Sequence, residues 1–185
     1  MALTTFVAGQ VLTAAQLNDS YAAVGGLRLI KSQTIGSAVS TVTVSDVFSS
    51  TYDNYLVVVN GGVGSTQTSI SLQLGSTTTG YYSAGVYVAY NSSAVTGVNS
   101  SNGSSWTTGT TSAQTNNMWV TLLNPFASDE TTMISLLAET FTTGLALYRT
   151  GYLANSTSYT AFTIAPASGT LTGGTIRVYG YANTN

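Results

Sequence analysis

Six carboxylates are the only ordinary acid–base groups of this chain, because its 185 residues include no His and no Cys. They are Asp19, Asp46, Asp53, Asp129, Glu130 and Glu139. A glycosidase needs two carboxyl groups that face each other across a cleft. Here Asp129 and Glu130 fall in an expected hairpin connection, and Asp46 and Asp53 fall near strand ends. Acidic residues at such places usually cap turns or are solvated, so we expect no catalytic residue and no enzymatic activity.

The missing residue types exclude several other chemistries. Without His or Cys the chain has no zinc site of the usual kinds, no thiol nucleophile and no Ser-His-Asp triad. It also has no calcium loop of the D-x-[DN]-x-[DN]-G type. Its four basic residues are scattered: Arg28, Lys31, Arg149 and Arg177. So few cations cannot neutralise a phosphate backbone or an anionic membrane. We expect no metal, no cofactor, no nucleic-acid partner and no membrane insertion.

Aromatic side chains are the second group of candidates. Tyr and Trp offer a flat apolar area with a polar edge, which suits contacts with glycans and proteins. Trp106 is the only large residue in the polar stretch 91–117, and Tyr81 and Tyr82 form a second cluster. We interpret these three as candidate receptor or glycan contacts. The alternative is that Trp106 fills a gap in the body or between subunits.

The stretch 91–117 itself allows two interpretations, because it consists almost entirely of Ser, Thr, Gly, Asn and Ala. It could be a functional loop that a partner orders, since long structureless intervals are uncommon in compact domains. It could instead be a surface connection with one or two weak edge strands hidden among the Thr residues. The second interpretation is slightly favoured.

Two regions differ in their hydrophobic period, and they predict two parts of the chain. In residues 1–26, Thr13 and Gln16 have the spacing of a helix N-cap and capping box. An apolar stripe follows at helical spacing: Ala14, Leu17, Tyr21 and Val24. Gly25 and Gly26 end the pattern. So short a helix needs a surface to pack on, so we expect 1–26 to be an anchor segment.

Residues 27–185 change to a period of two, which is typical of strands. Ten short segments rich in Val, Ile, Thr and Tyr are predicted: 27–30, 39–44, 55–59, 70–74, 86–90, 118–123, 133–137, 145–148, 159–164 and 175–181. Turn residues such as Asn60-Gly61-Gly62 and Asn124-Pro125 separate them. No helical pattern lies between them, which excludes alternating βαβ construction. We predict one all-β domain, an antiparallel β-sandwich of the jelly-roll kind.

Charge and hydropathy bear on assembly and location. Charged residues make up 5% of the chain and the net charge is −2. Little electrostatic repulsion therefore opposes association, which favours an oligomer. No apolar run reaches membrane-spanning length, and the N-terminus lacks the pattern of a signal peptide.

Three segments resemble parts of virion proteins of tailed bacteriophages. Residues 6–18, FVAGQVLTAAQLN, resemble the F-x-x-G-x-V-L-T-A-x-x-L-N opening of tail-fibre and minor tail proteins. Residues 48–58, FSSTYDNYLVV, are similar to a segment of small phage β-sandwich domains, and residues 173–181, GGTIRVYGY, to the final strand of the same group.

This resemblance implies a structural protein of the virion, assembled in the host cytoplasm. The anchor would dock on other virion proteins through Phe6, Val11, Leu12, Leu17 and Tyr21, and a jelly-roll-like body would project from it, commonly as a homotrimer. A short tail or baseplate fibre for host-surface attachment is the leading hypothesis. A capsid decoration protein is an alternative within the same class, and a carbohydrate-active depolymerase is one from another class.

Overall fold

The computed structural model describes residues 8–9, 11, 13, 26–114, 116–138 and 144–183. The predicted N-terminal helix lies outside these residues, as do the expected docking residues Phe6, Leu12, Leu17 and Tyr21. Val11 is described, and its side chain is exposed.

The described part of the chain is built from fourteen β-strands. Their bounds are β1 Leu27–Thr34, β2 Val42–Val44, β3 Asn54–Asn60, β4 Val63–Gly64, β5 Thr68–Leu74, β6 Tyr81–Ala89, β7 Val95–Gly103, β8 Trp106–Thr111, β9 Asn117–Leu123, β10 Thr131–Ala138, β11 Leu145–Leu153, β12 Phe162–Pro166, β13 Leu171–Thr172 and β14 Thr175–Tyr181. Within these residues there is no helix long and apolar enough to cross a membrane.

The strands form two main sheets in which all neighbours are antiparallel. The larger sheet has eight strands in the order β1-β14-β3-β9-β10-β11-β6-β7. The smaller has four, in the order β2-β12-β5-β8, and β13 pairs with β4 in a two-stranded ribbon. The pairing is nested, because strands from the start of the described chain pair with strands from its end. An all-β, antiparallel architecture is therefore confirmed.

The period-two pattern decides which side chains enter the core. In β5 the apolar residues Ile70, Leu72 and Leu74 are buried, and the Ser and Gln side chains between them are partly exposed. Strand β3 departs from this pattern, because its outward residue Leu56 is also buried. Leu56 lies opposite Tyr179 on one neighbouring strand and Thr121 on the other, in the middle of the larger sheet. A strand flanked in this way can be apolar throughout.

One core joins the two main sheets. Tyr55 of the larger sheet packs edge-to-face on Phe48 with 4.8 Å between the ring centroids. Phe48 in turn stacks on Phe162 of the smaller sheet at 5.8 Å. All three rings belong to a single buried cluster that also includes Val120 and Ile164. Two antiparallel sheets that share one core are consistent with the predicted sandwich.

The polar stretch 91–117 is not a long loop. It contains β7 and β8, which lie at the edge of the larger and of the smaller sheet respectively. The interpretation as a connection with weak edge strands is confirmed, and the partner-ordered loop is wrong. Strand β7 escapes sequence patterning because its only large apolar side chains are Val95 and Val98, while Asn and Ser fill most other positions.

Candidate functional site

Trp106 lies inside the core and not at an exposed tip. It begins β8, is fully buried, and packs edge-to-face on Tyr81 with 5.0 Å between the ring centroids. Tyr81 is also fully buried, and its hydroxyl accepts a hydrogen bond from the backbone N–H of Leu74 at 2.8 Å. Neither side chain can reach a partner, so the expected receptor contact through Trp106 and Tyr81 is corrected. The alternative account, in which Trp106 fills the body, is the one the structure supports.

Tyr82 is the one residue of the three that faces outward. Its ring stacks on Tyr152 of the adjacent strand β11, with 5.1 Å between the centroids and 9° between the planes. Trp106 supports the backbone of Tyr82 from the core side, because the indole Nε1 donates a hydrogen bond to the Tyr82 carbonyl oxygen at 3.2 Å. The buried Trp106 thus positions an outward-facing aromatic pair.

A row of apolar side chains crosses the outer face of the larger sheet. Val58, Trp119, Leu136, Tyr148 and Val86 lie directly opposite one another on five successive strands. We call these five residues the apolar row. All but Val58 are 45% to 49% exposed, although each carries a large apolar group.

Smaller apolar side chains border the apolar row on the same face. Ala138, Ala146, Val88 and Val95 lie opposite one another on β10, β11, β6 and β7. Ala138, Ala146 and Val88 line a shallow groove of about 500 Å³ together with the row. The six strands from β3 to β7 in the sheet order hold one charged residue, Arg149. Its side chain is buried towards the smaller sheet, where Nη1 donates to the carbonyl oxygen of Thr107 at 3.3 Å. The outward positions of these strands therefore carry no charge, and they are apolar along the row and its smaller neighbours.

The smaller sheet has an outer face of the opposite character. Its outward positions are Thr43, Thr163, Ala165, Ser69, Ser71, Gln73, Thr107 and Thr110. Several of these hydroxyls are satisfied within the sheet, for example Thr43 Oγ1 with Thr163 Oγ1 at 2.9 Å. The outer face of the smaller sheet is thus mostly polar, whereas the larger sheet exposes the apolar row.

Trp119 was missed as a candidate contact residue, although the sequence holds the signal. Met118, Val120 and Leu122 are buried, and Trp119 lies out of phase with them. In a strand, a large side chain out of phase with the buried set faces outward. In β10, Leu136 is likewise out of phase with the buried Met133 and Leu137, and it faces outward.

A second groove lies towards the other end of the same face. Its volume is about 580 Å³, and its lining includes Tyr82, Tyr152, Asn99, Ser101 and Thr132. We call it the tyrosine groove. Tyr152 is four residues from Tyr148 along β11, which places the tyrosine groove about 13 Å from the apolar row. Its lining includes no acidic or basic side chain.

The described carboxylates lie outside the strands. Asp46, Asp53, Asp129 and Glu130 are all exposed. Asp129 Oδ1 accepts the backbone N–H of Glu130 at 2.8 Å, as a turn residue does. Among the residues with assigned positions, no group of His, Cys, Asp or Glu could hold a metal ion.

Comparison with known proteins does not assign the chain to a family: no family model, no curated protein and no solved structure matches it.

Proposed function

We propose that this chain is a structural protein of a tailed-phage virion, a short tail or baseplate fibre that serves host-surface attachment and assembles as a homotrimer. Residues 1–26 anchor it to other virion proteins, and the β-domain forms the exposed body. The apolar row on the outer face of the larger sheet is the observation that carries the assembly.

The order of the strands supports a jelly-roll body. Eight strands, β1, β2, β3, β5, β8, β9, β12 and β14, form two four-stranded sets with the orders β1-β14-β3-β9 and β2-β12-β5-β8. Each set alternates early and late strands, as the two sheets of a jelly roll do. Four further strands, β10, β11, β6 and β7, continue the first set past β9 and extend it beyond the smaller sheet. Jelly rolls are frequent among viral capsid and lectin domains.

Two of the segments that resemble phage proteins pack against each other. Strand β3, from the 48–58 segment, pairs with β14, from the 173–181 segment. The Tyr52 ring lies so close to Gly180 that a Cβ at that position would collide with it. Tyr55 also closes its own segment, because its hydroxyl donates to the carbonyl oxygen of Ser49 at 2.8 Å. The two segments thus form one local structural unit.

A second copy of the chain is the partner that suits the apolar row. The row and its smaller neighbours cover roughly 300 Å² in projection, at about 33 Å² for each strand residue on one face. The largest apolar patch of a soluble protein has about this size and is often functional. Large side chains such as Trp119 lie beside small ones such as Ala146, so copies of the face can interdigitate. The strands that carry the row hold no outward charge, and the nearest one, Arg177, lies at its margin on β14, opposite Val58.

The virion role is tested by locating the chain. We expect mass spectrometry of purified phage particles to detect the full-length chain. A variant that lacks residues 1–26 should fold, with the far-UV spectrum and melting temperature of the full chain, and should be absent from the particles. Antibody labelling in electron micrographs separates tail from shell. Absence of the full-length chain from the particles would refute the proposal.

A further inference from the structure

The tyrosine groove has the chemistry of a binding site for neutral sugars. We propose that it binds a neutral oligosaccharide of the host surface, an inference that rests on the proposed role in attachment and names its ligand class. Its volume of about 580 Å³ lies within the range of small-molecule sites.

Aromatic rings provide the apolar part of the site. Tyr152 is 41% exposed, and its ring and that of Tyr82 are nearly parallel in a fixed stack. A sugar ring presents its C–H groups to such surfaces and keeps its hydroxyls for polar neighbours. Tyr supplies this area at low cost in side-chain entropy, because it has only two χ angles.

Polar groups beside the rings are free to bind hydroxyls. Within the described residues, the side chains of Asn99, Ser101 and Thr132 have no hydrogen-bond partner, and neither do the hydroxyls of Tyr82 and Tyr152. Amides and hydroxyls both donate and accept, as sugar hydroxyls do. The lining carries no cation that would select a phosphate, sulfate or carboxylate group. These donors and acceptors favour a neutral sugar over an acidic one.

The groove is supported from beneath and is placed for contact. The Trp106 indole holds the Tyr82 carbonyl, so the pair stands on a rigid element, as a preorganised site requires. The chain enters the fold at β1, one edge of the larger sheet, whereas the groove adjoins β7 at the other. The two edges are separated by seven strand spacings, roughly 34 Å. The groove therefore lies at the sheet edge opposite to β1, the first of the described strands.

The inference is tested with an array of neutral, sialylated and uronate-containing oligosaccharides, probed with the full chain. We expect retention on neutral glycans, and an affinity for the best of them that changes less than twofold when NaCl is raised from about 0.05 to about 0.5 M, because screening weakens only charged contacts. Tyr152→Ala should weaken binding at least tenfold. Asn99→Ala should weaken it about fivefold, in line with the loss of one hydrogen bond.

Tyr90→Ala is the matched control, because Tyr90 is 62% exposed and does not line the groove. The Tyr90→Ala variant should bind glycans as tightly as the unaltered chain. All three variants should have the melting temperature and the oligomeric state of the unaltered chain. Retention of no neutral glycan, retention of acidic glycans only, or equal binding by Tyr152→Ala would overturn the inference. None of these binding results depends on the location of the chain in the virion or on its oligomeric mass. Those two measurements test the proposed function separately.

Discussion

Trp106 is buried, yet it helps to position Tyr82 on the outer face of the larger sheet. Its ring fills the space between the sheets, and its indole N–H bonds the backbone of Tyr82, whose side chain is outside. The sequence places Trp106 among Ser, Thr and Gly, where a buried ring has no local signal. Only long-range pairing shows that β8 lies under β6 and β10, so the burial of Trp106 could not be predicted locally.

Trp106→Ala should lower the free energy of unfolding by about 3–5 kcal/mol, since it removes a fully buried aromatic ring. Trp106→Phe should cost less and should mainly lose the hydrogen bond to Tyr82, worth about 1 kcal/mol. Urea unfolding monitored by far-UV circular dichroism measures both variants. An unchanged midpoint for Trp106→Ala would mean that the ring is not in the core.

Tyr81 makes the fold less stable at alkaline pH. Burial raises the pKa of Tyr81 above its ordinary value of 10.0. The folded state therefore keeps the phenol protonated at pH values where the unfolded chain loses its proton. This contribution is fully present below pH 10 and is lost as the pH rises from there towards the raised pKa, at about 1.4 kcal/mol per pH unit.

We expect the urea midpoint of the unaltered chain to fall between pH 9 and pH 11, and Tyr81→Phe to flatten that fall. The Phe variant should also be less stable at pH 8, because it loses the hydrogen bond from Leu74 N–H. Parallel pH curves for the two proteins would show that Tyr81 does not titrate on unfolding.

At the scale of elements, strands with alternating apolar residues are predictable and the others are not. All ten predicted segments correspond to strands of the structure. The sequence does not predict β4 and β13, which have two residues each, and it predicts β7 and β8 only as weak edge strands without bounds, because they are rich in Ser, Thr, Asn and Gly. Their pairing is set by neighbouring strands and by the turns that join them, which leave little trace in hydrophobic periodicity.

Two glycines of the larger sheet provide a matched pair of variants. A Cβ on Gly151 of β11 would collide with the Tyr82 carbonyl oxygen and lie 3.0 Å from Trp106 Nε1. A Cβ on Gly97 of β7 would meet nothing within 4 Å. Gly151→Ala should destabilise the fold by about 1–3 kcal/mol, the usual cost of overpacking, whereas Gly97→Ala should be neutral or slightly stabilising. Differential scanning calorimetry of both variants checks this, and equal melting temperatures would contradict the packing of β11 on β6.

At the scale of the whole molecule, the two outer faces differ more than a monomer in water requires. Both main sheets bury an apolar inner face, but only the smaller one has an outer face without large apolar side chains. On the larger sheet, apolar side chains are exposed in register across five strands. The low charge of the chain predicts assembly, and the face that we propose for it follows only from the strand order and register.

The mass of the chain in solution is the most direct test of assembly through the apolar row. We predict that sedimentation equilibrium at micromolar concentration gives three times the mass of one 19.1 kDa chain. Trp119→Lys should give a folded monomer, because burying an unpaired ammonium in an apolar interface is strongly unfavourable. Gln73→Lys, a strand position on the polar face of the smaller sheet, should remain a trimer. A monomeric unaltered chain, or a Trp119→Lys variant that still forms trimers, would contradict this account.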